Sequence, residues 1–272
     1  VTYFPLWADC SFWVAAIFTA GSAVWVINGF LLFLPLVQPS VPVYSTAAGA
    51  LAFVGGTLFE AGGWLMLVEA TNTGHEQMFV GPLSSYLRWR RPSEEELLES
   101  QAHSGDEADE KHGASSKAKF VWFAKPMWRD IGYLASFIQF IAATIFWVST
   151  IVGLPGVIPT LFTDPPVVIT DIFFWTPQVL GGFGFVVSSL LLMIETQRAW
   201  YLPNPLSIGW QVGFWNLVGA VGFLLCGAWG YLSLDVPWEN FESTCATFWG
   251  SWAFLIGSAI QLYETLWREE PE

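Results

Sequence analysis

Of the 272 residues in this chain, 54% are hydrophobic, 17% aromatic and only 12% charged, whereas an ordinary soluble domain carries about 25% charged residues. A formal net charge of −13 with only ten Lys and Arg argues against nucleic acid as a partner, because phosphate binding needs a basic face. Positive mean hydropathy and apolar stretches of about 20 residues, each able to cross ~30 Å of hydrocarbon, place the chain in a membrane as a polytopic protein.

Six apolar segments follow in order: 12–36, 48–70, 134–158, 173–194, 208–231 and 247–263. Each predicts a membrane helix. The first is too long for a signal peptide and lacks a small-residue cleavage pattern, so it reads as a true span. The expected fold is all-α, six transmembrane helices forming three two-helix hairpins. Residues 1–72 hold the first hairpin, 73–130 a cytoplasmic loop, 131–198 the second hairpin, and 199–272 the third with a short tail. The three cysteines, Cys10, Cys226 and Cys245, support neither a disulfide framework nor a thiolate metal cluster.

The loop breaks the apolar pattern. Its centre, 93–119, has eight acidic residues, three Lys and no aromatics, and predicts disorder because it has little apolar surface to bury. Lys and Arg are retained on the cytoplasmic side during insertion, and all ten fall on one side: Arg88, Arg90, Arg91, Lys111, Lys117, Lys119, Lys125 and Arg129 before span three, Arg198 after span four and Arg268 after span six. The opposite loops, 38–46, 159–171 and 233–243, contain none. Both termini are therefore expected in the cytosol, with the protein in a plasma membrane or endomembrane.

Seventeen Trp residues fit anchoring at the membrane interface, which indole rings favour, with aromatic recognition of a ligand as the alternative. The stretches YLRWRR (86–91) and FVWFAKPMWRD (120–130) flank the acidic loop. Arg88, Arg90, Arg91, Lys125 and Arg129 are the expected contacts to anionic lipid headgroups.

Self-comparison shows a threefold pattern. Spans two, four and six align without gaps: Gly55-Gly56, Gly62-Gly63 and Glu69; Gly181-Gly182, Ser188-Ser189 and Glu195; Gly250-Ser251, Gly257-Ser258 and Glu264. Spans one, three and five align more weakly on a small pair followed by a ring: Gly21-Ser22 and Trp25, Ala143-Thr144 and Trp147, Gly219-Ala220 and Phe223. Lipid tails give no hydrophobic drive for helix association, so small residues mark close backbone approach. Seven residues are almost two turns, which predicts one small-residue stripe per hairpin, facing a bulky ring or joining copies in an oligomer.

This pattern, in GSAIQLYE (257–264) and AAIFTAGSAVWVINGFLLF (15–33), resembles the two-helix membrane unit of the YrhK-like domain family, present here three times. The whole is similar to an integral membrane protein of filamentous fungi. The resemblance implies a helical membrane fold and carries over no catalytic, cofactor-binding or metal-binding residue.

Glu69, Glu195 and Glu264 repeat at the same helix end, where a carboxylate opposes the helix dipole. Each is expected either to meet the start of an incoming helix or Arg129, Arg198 or Arg268, or to join a ring of carboxylates that attracts cations. Glu60 sits mid-span where the other repeats have Val186 and Leu255. A central ionisable group is costly and is a functional candidate by default, against a structural role bonded to Asn28 or Thr144. Asn28, Gln139, Asn216 and Gln261 predict interhelical hydrogen bonds. All three His lie in the loop, so the spans offer no Ser-His-Asp site or His metal site.

Three functions remain open from sequence: a non-enzymatic scaffold or accessory protein binding lipids or membrane proteins; a channel or transporter for a small solute, cation or proton, using Glu60; and a membrane enzyme with Glu60 as proton donor. A continuous polar cavity reaching Glu60 would favour the second, a closed dry bundle the first, and a blind apolar chamber around Glu60 the third.

Overall fold

The computed structural model describes residues 9–73, 121–122, 125–158, 160–161, 164–233 and 235–267. The acidic loop 93–119, the headgroup candidates Arg88, Arg90 and Arg91, and Arg268 lie outside the described residues. Six helices long and apolar enough to cross a membrane account for most of what is described: α1 Cys10–Val37, α2 Ser45–Thr71, α3 Ile131–Val152, α4 Val167–Glu195, α5 Ile208–Gly230 and α6 Pro237–Leu266. No strand occurs among the described residues. The shortest, α3, has 22 residues and at 1.5 Å per residue still covers about 33 Å.

Helix ends follow local chemistry more closely than hydropathy does. Asp9 and Asp130 cap α1 and α3, accepting from the backbone N–H of Ser11 at 2.9 Å and of Tyr133 at 2.7 Å, which satisfies donors that the first turn leaves free. Helix α3 stops at Val152, short of the expected 158, because Gly153 caps it and Pro155 cannot continue it. Helix α6 begins at Pro237, ten residues before the apolar stretch. Pro at the first position and Glu239 in the first turn are helix-start signals that an apolarity scan passes over. Within α4, residues Asp171–Trp175 form a π turn just before Pro177, where a regular helix would drive the ring into a carbonyl four residues back.

Each helix packs on the next in chain order, and α6 returns to α1. The bundle is a closed ring of six. Its closing seam is aromatic: Phe248 of α6 lies 4.8 Å from Phe30 and 5.2 Å from Phe33 of α1, centroid to centroid. There a Cβ at Gly29 would come within 2.9 Å of the Phe248 ring, so the small residue sets the approach.

The paired small residues do not form the single stripe expected. In α2, a Cβ on Gly55 would meet Trp25 of α1, whereas one on Gly56 would meet Thr150 of α3. In α4, Gly181 faces Phe146 of α3 and Gly182 faces the Leu224 backbone of α5. One member of each of these pairs closes the hairpin and the other closes the seam to the following hairpin. Adjacent residues on a helix point about 100° apart, which suits a helix clasped on two sides. The pairing therefore explains the ring as well as the hairpins.

Candidate functional site

One aromatic side chain from each helix meets at the centre of the ring: Trp25, Phe59, Phe146, Phe185, Phe223 and Phe254, all buried. The three from odd-numbered helices form a triangle, with centroids 5.9 Å apart for Trp25–Phe146, 5.0 Å for Trp25–Phe223 and 5.5 Å for Phe146–Phe223. Phe254 joins the second set at 5.4 Å from Phe59 and 6.3 Å from Phe185. These separations lie in the favoured range for edge and offset contacts. The layer fills the bore.

The position of Phe146 corrects the weaker alignment. Read as Ala142-Ala143-x2-Phe146, the second odd span brings its ring to the centre, while Trp147 turns to the α2–α3 seam and donates to Thr57 at 3.0 Å. Phe59, Phe185 and Phe254 were missed as a set. Their signal is present, because each stands four residues after the leading residue of its span's first small pair, Gly55, Gly181 or Gly250.

Towards the end nearest Lys125, Arg129 and Arg198, the basic end, the ring holds a recess of about 180 Å3. Its floor is Ser22, Phe59 and Phe254, and Phe18 and Met66 form one apolar wall. Gln139 of α3, Asn216 of α5 and Gln261 of α6 form the opposing polar wall, and Glu195 and Glu264 stand at the mouth. The hydroxyl of Ser22 is buried without a hydrogen-bond partner, as is the indole N–H of Trp25 beside it in the aromatic layer. Native interiors leave few polar groups in that condition.

The three repeated glutamates separate. Glu69 accepts a hydrogen bond from the Ser11 hydroxyl in the first turn of α1 and does not line the recess. Glu195 lies against Gly132 in the first turn of α3, where any side chain would displace it, and also lines the recess. Meeting the start of an incoming helix is one of the two arrangements expected, and partial positive charge there suits a carboxylate. Glu264 lines the recess alongside Gly209, the second residue of α5.

Glu60 is elsewhere. It faces the α2–α3 seam, where Thr144 donates to it at 2.9 Å, and its second carboxyl oxygen is buried without a partner. Asn28 is 1% exposed and donates to the Ala48 carbonyl at 2.6 Å, the interhelical bond expected of it. Lys125 and Arg129 are exposed and flank Trp128, itself 57% exposed.

Beyond the aromatic layer the interior becomes polar again without opening. Gln178 of α4, Cys226 of α5 and Ser243 of α6 converge there: the Cys226 thiol donates to the Gln178 side-chain oxygen at 3.6 Å, and the Ser243 hydroxyl donates to the Cys226 carbonyl at 2.9 Å. The bore thus runs from a polar recess through an aromatic plug to a closed polar layer. No protein-family model, curated protein or solved structure matches this chain.

Proposed function

We propose that this protein is a membrane transporter of a small polar solute, seen with its site open at one end only. The observation that supports this is the recess itself. A bundle serving only as a scaffold would fill its centre with apolar side chains, since polar groups at membrane depth are expensive and tend to mark solute pathways. Here Gln139, Asn216 and Gln261 face inward around free volume, and a second polar layer lies past a plug of six rings. A plug between two polar layers suits alternating access better than an open channel. Glu60, outside the recess, is read as a packing group.

The orientation follows from charge. Lys125, Arg129 and Arg198 stand at the end that carries the recess mouth, and in the sequence the other seven Lys and Arg fall in the same loop and in the tail, so in this reading the mouth and both termini face the cytosol. Lys125 and Arg129 with Trp128 lie along anionic headgroups in this reading. The ring is proposed to have arisen from three copies of a YrhK-like hairpin, supported by the repeated spacing of small pairs.

Labelling of introduced cysteines in sealed vesicles tests the transport reading, with the native three cysteines changed to Ser. Gln261→Cys should react with an impermeant maleimide from the cytosolic side, and Ser243→Cys from the opposite side as the far layer opens. A Ser243→Cys thiol that stays unreactive from the far side would leave the scaffold reading in its place.

A further inference from the structure

We propose that the recess receives a small organic ammonium ion carrying a hydroxyl or similar polar group, with its charge at Glu195 and Glu264, its hydrocarbon against Phe18, Phe59 and Phe254, and its polar group at Ser22. This rests on reading the recess as a solute site.

Charge favours a cation. Two carboxylates line the recess and no Lys, Arg or His does, so a cation is the species that offsets the charge once water is displaced. Both carboxylates edge the recess, Glu195 over Gly132 of α3 and Glu264 beside Gly209 of α5. The one-sided polarity narrows the class. A metal ion asks for oxygen ligands around it, whereas the first hairpin presents only Phe18, Phe59 and Met66 on its side apart from Ser22. An alkylated ammonium suits both walls, with its charge near carboxylate and amide oxygens and its C–H surface against rings that attract cations.

Ser22 supplies the independent observation. It is 1% exposed, lines the floor, and has no hydrogen-bond partner. A solute with a polar atom at its far end completes that group. Volume sets the size: an apolar cavity of ~150 Å3 holds benzene, and this one is about 180 Å3.

Calorimetry on the full chain in nanodiscs tests this with choline, ethanolamine and 3,3-dimethylbutan-1-ol, the last a neutral isostere of choline. Choline or ethanolamine should bind, and the neutral alcohol should bind at least about tenfold more weakly, the scale of a lost charge-assisted contact. Glu264→Gln should weaken the ammonium ions by about tenfold and Ser22→Ala by severalfold, while Glu60→Gln should bind as wild type does. Thermal unfolding shows that each variant is folded, and Glu195→Gln replaces Glu264→Gln if that variant is not. Equal binding of the neutral alcohol overturns the ammonium assignment and leaves a solute site standing. If none of the three probes binds, the ammonium proposal is overturned. If, in addition, filling the recess with Gln261→Trp leaves Ser243→Cys labelling unchanged, the transport reading falls as well.

Discussion

Thr144 donates a hydrogen bond to Glu60 at 2.9 Å across the α2–α3 seam, and this ties the most conspicuous acid in the sequence to a helix contact outside the recess. Gln retains the shape of Glu and can both donate and accept. Glu60→Gln should therefore change stability by less than ~0.5 kcal/mol and leave solute flux intact. Thr144→Val should cost about 0.5–1.5 kcal/mol, the range for hydrogen bonds between membrane helices. Unfolding in detergent and flux in liposomes check both, and lost flux in folded Glu60→Gln would return Glu60 to the functional site.

Glycine substitutions should rank by what their new Cβ meets. At Gly182 it would lie 2.7 Å from the Leu224 Cα, whereas at Gly62 its nearest neighbour is the Phe18 ring at 3.1 Å. Backbone cannot step aside and a side chain can. Gly182→Ala should cost ~1–3 kcal/mol by overpacking, and Gly62→Ala less. Equal unfolding temperatures for the two variants would place the α4–α5 seam further apart than the structure has it.

The aromatic plug predicts a leak. Phe223 touches Trp25, Phe146 and Phe254, so Phe223→Ala removes a ring of the first set that also packs on the second. The cavity should lower stability by about 3–5 kcal/mol and join the recess to the polar layer at Gln178 and Ser243. When the far layer opens, as the transport reading requires, vesicles bearing a folded variant should pass small ions that wild type retains. Tight vesicles would show that the remaining five rings close the bore unaided.

Orientation has its own test. The ten Lys and Arg fall before span three, after span four and after span six, so in the proposed orientation protease added outside right-side-out vesicles should leave 93–119 uncut. Cleavage there would reverse the membrane orientation and place the recess mouth on the side away from the cytosol.

Asn28 offers a compact check of hairpin packing. Its amide donates to the Ala48 carbonyl at 2.6 Å, and Asn28→Leu should cost about 1 kcal/mol by losing that bond and crowding a buried site. Unchanged unfolding would mean that the α1–α2 turn holds without it.

Six spans and an all-helical fold were legible in the sequence alone. Span length and apolarity are properties of each segment by itself, set by the thickness of hydrocarbon, and the gapless spacing from Gly55-Gly56 to Glu69 survives any packing. Which way each helix turns was decided only by the tertiary structure. Lipid is as apolar as a packed core, so a membrane helix need not segregate polar from apolar residues to mark its inner face. That is why Phe146 and Trp147 could not be told apart, and why both members of a small pair were assigned to one neighbour. It also explains the three glutamates: identical in spacing, they differ because Ser11 engages Glu69 while Glu195 and Glu264 stand at the open mouth. Ring closure by α6 on α1 supplied the remaining decision, since it converts three hairpins into an interior with a plug and a recess.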